Sequence, residues 1–552
     1  MEFNLFTEPW LPLMRTDGTI HNVSLRQALV HARHYRRLVG ISPTMTVALH
    51  RVLLAVVHRA YRPIDVDQWT QLWESEEGLP EEPLQVYLEK FGHRFDLFHP
   101  HLPFLQCPAL DNPPGTTAKL VPYRATGNNR TLFDHTTADQ RPLLEPAEAA
   151  RWMITTQMYD TSGTKQPYRK ERSSEAGLGN RFACVLVEGN TFHETLLLNL
   201  LRYDPEAELP PLTRPDDHPA WEEPHPPDPE PDTRAPRGWT DLLTWPARRI
   251  RLSATQQDGH VLVDGVVLTP GTRFKGDLAD LEAMTASRRP WLKGGKQGPL
   301  EPVKLDQLRG VWQHSQELLL ATDPQRWWNT WKARQRANTP FPAQEPERRR
   351  PAALEHIAEL VDVGVIPENT IYTLRVFGQQ LGNRGGDTYA WAEEAVPAPV
   401  ALLRAENARV GIVIGYAVSL ANDLGEALRA MERAYQTDFG FQLAKDQEPL
   451  PTELEIRYWP CLAAPFAQFL RDLGEAVQGA GPETAAAQAW VQTATLLADR
   501  AAWQWLQGTP RRNRDLLTAS AHFDDFQAAR RHAEWVFHNG LARYSTPEED
   551  DE

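Results

Sequence analysis

The chain has 552 residues, too many for one hydrophobic core, and its 41% apolar and 24% charged residues exclude wholesale disorder. With 58 Lys and Arg against 73 Asp and Glu, the net charge of -15 excludes a general polyanion-binding surface and leaves nucleic-acid contact to local basic loops. Cys107, Cys184 and Cys461 are far apart and without a CxxC pair, which excludes a disulfide framework and a cysteine zinc site.

The N-terminal MEFNLFTEPW has no basic region followed by an apolar one, so it does not read as a signal peptide, and a cytoplasmic location is expected. LPLMRTDGTIHNVSL, residues 11–25, sets Asp17-Gly18 between two partly alternating runs and predicts a hairpin. Ser42-Pro43 then opens a helical pattern, TMTVALHRVLLAVVHRAY. GHRFDLFHPHLPF carries His93, Asp96, His99 and His101, residue types that suit zinc or iron. Against a metal-dependent hydrolase there, Pro100 and Pro103 impose an extended path, and the interleaved Phe95, Leu97, Phe98 and Phe104 read as core.

GNNRTLFDHTTADQ, residues 127–140, predicts a loop centred on Leu132, Phe133, Asp134 and His135. Its apolar pair either tethers the loop to the core or forms a finger whose Phe133 stacks on a base. TSGTKQPYRKERSS, residues 161–174, gathers Lys165, Arg169, Lys170 and Arg172 behind flexible Ser162-Gly163-Thr164. Such a segment is either a solvated basic loop or one that touches phosphate, where glycine admits backbone N–H groups and the cations release counterions. Residues 205–238 are so rich in proline and acid that an exposed, extended insertion is expected.

Residues 248–271 alternate, with turns predicted at Asp258-Gly259 and Asp264-Gly265. Helical pattern returns over 305–337 and 352–363. GQQLGNRGGDT, residues 378–388, predicts a loop that either leads as a linker into the C-terminal helices or pushes backbone into a groove or between base pairs. From residue 399 onward, helical stretches over about 399–436, 452–478, 483–507 and 514–540 predict an antiparallel four-helix bundle. The longest apolar run, VGIVIGYAVSLA, is too short to span a bilayer. The expected class is α+β, with a large mixed N-terminal domain over 1–398, a four-helix bundle over 399–545 and an acidic tail over 546–552. No GxSxG, HExxH, Walker A or GxGxxG pattern is present in the sequence.

Taken in order, FNLFTEPWLPLMRTDGTIHNVSLRQAL, FDLFHPHLPFLQ, LFDH, LVEGNTFHETLLLNLL and RVFGQQLGN make the chain resemble the CasA family, the large subunit of the type I-E CRISPR surveillance complex Cascade. The resemblance covers nearly the whole chain. It implies a subunit without catalytic activity, cofactor or membrane contact. Its implied partners are guide RNA, target double-stranded DNA, other Cascade subunits and a helicase-nuclease. It also implies minor-groove reading of the protospacer-adjacent motif (PAM) and opening of the duplex. By position, Leu132, Phe133 and Asp134 match the family's loop near the RNA 5′ handle. Ser162, Gly163, Thr164 and Lys165 match its glycine loop, here with one glycine where others have several. Lys275 falls near its motif-reading lysine. Asn383, Arg384, Gly385, Gly386 and Asp387 match its duplex-opening wedge; the glutamine some members carry at the tip is missing, while Gln379 and Gln380 lie a few residues earlier. A purely structural adaptor that binds protein through the bundle is the other reading.

Overall fold

The computed structural model describes residues 1–124, 142–292, 296–306, 308–320, 348–382, 385–404, 410–441, 450–510 and 512–545. Its first elements are the expected hairpin, β1 (Leu11–Arg15) and β2 (Ile20–Val23), to which β3 (Tyr35–Leu38) adds on the other side of β1. Asp17 closes the turn by accepting from the Thr19 amide and hydroxyl. The helix α1 (Pro43–Tyr61) starts where Ser42 accepts from the Met45 amide with Pro43 in the first turn. It is buried on nearly every face from Thr44 to His58, as its all-round apolar sequence requires.

Helix α2 (Pro146–Tyr159) packs beside α1 and delivers the chain to the short ladder β4 (Gly163–Thr164) and β5 (Ser173–Ser174). After β6 (Cys184–Glu188), the proline- and acid-rich segment departs from expectation. It is not a solvated, extended insertion: Trp221 is buried between Phe95 and Phe104, and its indole N–H donates to the Tyr87 hydroxyl. Buried Asp217 accepts from the Tyr203 hydroxyl and from the amides of Thr240 and Asp241. One large aromatic and one fully used carboxylate pin a segment whose average composition predicts solvation.

Strand β7 (Thr233–Arg234) is followed by the long hairpin β8 (Arg248–Gln257) and β9 (His260–Pro270). Its turn is Asp258-Gly259, both at positive φ. The second expected turn, Asp264-Gly265, is instead continuous strand beside a bulge. A Cβ at Gly265 would lie 2.9 Å from Pro114, so glycine here admits a neighbouring chain rather than a reversal. Strand β10 (Arg273–Phe274) pairs in parallel with β7. Of the helical pattern over 305–337, the described part is short: a turn at Val311–His314 and a helix at Ser315–Leu319. Ala352–Asp362 is helical as expected.

Strands β11 (Ile371–Leu381) and β12 (Thr388–Pro399) form an antiparallel hairpin, with β6 on the far edge of β11. The loop expected over 378–388 is therefore partly strand. Gly378 to Leu381 belong to β11, and Thr388 opens β12.

Beyond β12 the described residues are mainly helical: α3 (Val410–Asp438), α4 (Ala463–Glu475), α5 (Glu483–Gly508) and α6 (Asn513–Ser545). A short helix, Glu453–Tyr458, precedes α4 and is separated from it by Trp459-Pro460-Cys461, where proline removes a helical donor. Helix α3 packs on α5 and α6, and α4 on α5 and β12. The protein is thus mixed α+β with a C-terminal helical region. Apolar packing is continuous across residue 398: Trp312 of the body meets Phe466 at 5.0 Å, Trp490 at 6.2 Å and Trp459 at 6.4 Å. Among the described residues no helix is long and apolar enough to cross a membrane.

Candidate nucleic-acid interface

The loop after α2 meets the end of the β11–β12 hairpin, and a third segment distant in sequence is tied to that loop. The Ser162 amide donates to the Gly385 carbonyl at 2.8 Å, which joins the glycine loop after α2 to the hairpin tip. The tip is closed by two of its own bonds, Gly382 N–H to the Asp387 carbonyl and Gly385 N–H to the Gly382 carbonyl. Gly385 has φ +67°, and a Cβ there would lie 2.4 Å from the Ser162 hydroxyl, so this contact exists only with glycine. One strand below, Gln379 donates to the Tyr159 carbonyl and accepts from the Trp391 indole, so its side chain is consumed inside the structure. Gln380 is exposed.

The third segment arrives through β10. The Arg273 guanidinium donates to the Ser173 carbonyl and pairs with Glu171 at 3.2 Å, tying β10 to the basic loop. The Lys275 amide donates to the Arg234 carbonyl, which fixes its backbone two residues beyond Arg273, while its side chain is exposed. Among the described residues no acid pairs with Lys275.

The cations divide into two groups. Lys165 turns inward: its ammonium lies 2.9 Å from the Asp160 carboxylate, with the two side chains only 15% and 13% exposed. Arg248 reaches the same carboxylate at 2.5 Å and also donates to the Thr161 and Glu175 carbonyls. Burial pushes the Asp160 pKa up, but Arg248 and then Lys165 outweigh it, and the carboxyl titrates below its ordinary value. Lys165 is thus first a structural pin of the loop. Lys170 and Arg172 are exposed, and among the described residues neither has an acid partner. Arg169 pairs with Glu230 at 3.3 Å.

The sequence signal for the outward cations was the charge cluster itself; which lysine faces inward depends on Asp160 and Arg248, which that cluster does not contain. Leu132, Phe133 and Asp134 lie outside the described residues, as do Asn383 and Arg384. The rival reading, a metal-dependent hydrolase, finds no metal-sized cluster at its histidines among the described residues. Asp96 accepts from the Phe3 and Phe98 amides, and His99 Nδ1 accepts from the His101 and Leu102 amides. The Phe3 bond ties the N-terminal segment to Asp96 and the others close turns, and His93, Asp96, His99 and His101 do not converge on a metal-sized point.

Residues 4–501 match the family model for CRISPR-associated protein Cse1. The CRISPR-associated protein CasA/Cse1 of Thermus thermophilus is 32% identical over 506 residues, which cover 86% of this chain and 88% of that protein. The chain belongs to the CasA/Cse1 family. This is the family that the ordered sequence segments resemble. Among solved structures, the Cse1 of Thermobifida fusca superposes on this CasA/Cse1 chain with a TM-score of 0.77 at 28% identity, covering 97% of this chain and 98% of that one. The Cse1 of Acidimicrobium ferrooxidans gives 0.74 at 25% identity, with 97% and 99% covered. A chain of a CRISPR RNA-guided surveillance complex shares the fold, with a TM-score of 0.71 at 21% identity and 95% and 99% covered.

Proposed function

We propose that this CasA/Cse1 chain is the non-catalytic large subunit of a type I-E RNA-guided surveillance complex. In this reading it reads the PAM in double-stranded DNA from the minor groove, opens the adjoining base pair and recruits a helicase-nuclease. The guide RNA and the other subunits are its standing partners, with Leu132, Phe133 and Asp134 assigned to the RNA 5′ handle. The observation that supports the reading is the Ser162–Gly385 bond at the tip of the hairpin, with β10 tied to the same basic loop through Arg273, in a chain of this family.

The chemistry is sufficient for the task. Guide pairing supplies sequence specificity, so the protein needs only a short motif contact and a few phosphate contacts. Lys170, Arg172 and Lys275 are placed to neutralise phosphates, and the acidic remainder keeps non-specific affinity low. In the minor groove A·T and T·A look alike and only the guanine amino group stands out, so backbone groups and one lysine give tolerant motif reading. Opening costs about 1.4 kcal/mol per stacked step, which an inserted hairpin tip has to offset only until guide pairing takes over.

The test uses the assembled complex. Lys275→Ala is expected to weaken target-duplex binding by about 1–3 kcal/mol, as loss of a charge-assisted contact does. Asp387→Ala is expected to slow R-loop formation on linear duplex more than on negatively supercoiled DNA or on a target with a bubble beside the motif. Unchanged affinity in the first variant and an equal defect on all three DNA forms in the second would remove the interface from this face.

A further inference from the structure

Away from this interface, a turn at the start of the chain sets two imidazoles side by side. His31 leaves the helix Leu25–Val30 and leads into the 3-10 turn Ala32–His34, where side chains three apart lie nearly one above the other. The His31 and His34 rings are parallel to within 7°, with centroids 5.6 Å apart. A second segment brings Glu77 to them. The Arg33 amide donates to the Glu77 carbonyl and the Leu79 amide to the Leu29 carbonyl, while the Arg33 guanidinium is spent on the Trp73 and Ser75 carbonyls. Gly78 is pressed into this junction: a Cβ there would lie 2.4 Å from the Val30 carbonyl oxygen, so the close approach depends on glycine. His34 Nε2 lies 3.0 Å from the Glu77 carboxylate, and one donor atom from each of the three residues lies within 4.8 Å of the others.

We propose that His31, His34 and Glu77 form a surface site for a zinc-class divalent transition metal, bound through two imidazole nitrogens and one carboxylate oxygen. Tetrahedral donors about 2.0–2.1 Å from zinc stand roughly 3.3 Å from one another, so the His34–Glu77 spacing already fits and His31 needs only side-chain rotation. The backbone bonds between the two segments fix everything else in advance, which lowers the entropic cost of closing the site. Two imidazoles with a carboxylate suit zinc, nickel or copper and do not suit magnesium or calcium, which take oxygen donors. All three residues are exposed, so a fourth position faces solvent. The bound ion would staple the 31–34 turn to the 73–79 segment, a junction that takes no part in the proposed DNA interface.

The test is calorimetric titration of the full-length, metal-free chain with zinc alone, repeated with cobalt to read the tetrahedral absorption band. The parent is expected to bind one equivalent, with affinity reduced about tenfold or more by His34→Ala and by Glu77→Gln and the cobalt band lost in both. His101→Ala, in the other surface group of histidines, is expected to leave the titration unchanged. Circular dichroism melts without metal should superimpose for all variants, since the altered side chains are exposed. Absence of binding at micromolar zinc, binding that both site variants leave intact, or binding that His101→Ala removes would each overturn the proposal.

Discussion

Replacing Lys165 by alanine separates two roles that its position in a basic loop confuses. In the structure its ammonium serves the Asp160 carboxylate, and both side chains are largely buried. Stripping one partner from a buried pair costs about 3–5 kcal/mol when the other charge is left alone. Here Arg248 still holds the carboxylate at 2.5 Å, so the expected loss falls to about 1.5–3 kcal/mol, the worth of one hydrogen bond to a charged group. Asp160→Asn leaves both cations facing a neutral amide and is expected to cost more, about 3–5 kcal/mol. Urea denaturation of the free chain, followed by tryptophan fluorescence, measures both, with Lys275→Ala as the exposed reference expected within about 0.5 kcal/mol of the parent. Duplex binding by the assembled complex is measured in parallel. If Lys165→Ala leaves stability unchanged while lowering binding as far as Lys275→Ala does, Lys165 is a phosphate contact and the reasoning from the Asp160 pin is wrong.

Gly385→Ala and Gly386→Ala should part company. The first forces a side chain into positive φ, about 1–2 kcal/mol, and against the Ser162 hydroxyl, whereas the second meets nothing nearer than 3.9 Å; only the first should slow R-loop formation, and equal rates would refute the tip geometry. Stability should fall as pH drops from neutrality toward 4. His50 and His58 are buried with pKa values lowered to about 4 by burial, so the unfolded chain takes up their protons first, giving a slope of up to about 1.4 kcal/mol per pH unit for each. A urea midpoint that does not move between about pH 7 and about pH 5 would contradict this.

What was legible in the sequence was local chemistry. Asp17-Gly18 and Asp258-Gly259 fixed their hairpins because turn residues act on their own backbone, and Ser42-Pro43 fixed a helix start for the same reason. Asp264-Gly265 has the same letters and a different cause, the close passage of Pro114 across the strand. The proline- and acid-rich segment misled because averages hide anchors: Trp221 and Asp217 are each committed to partners that composition does not show. At the interface, the basic and glycine-rich loops were visible singly. Their meeting was not, since Ser162 and Gly385 come together only because α1 packs against both α2 and the β11–β12 hairpin, and Lys165 turns inward toward a carboxylate shared with distant Arg248.

The β11–β12 hairpin also has a mechanical character. Pairing with β6 covers β11 only from Thr373 to Phe377, so the root is three strands wide and the outer part is a two-stranded ribbon. At the root end, β12 is clamped against α4 of the C-terminal helical region, where Gly474 packs on Pro399. Twelve residues of strand make a beam about 40 Å long, built in at one end and propped near the other by the Ser162–Gly385 and Gln379–Tyr159 bonds. In such a propped cantilever the deflection of the tip is set by the prop rather than by the wall. The loop that would grip a phosphate is that prop, so a load on the loop and the reach of the tip are a single elastic problem.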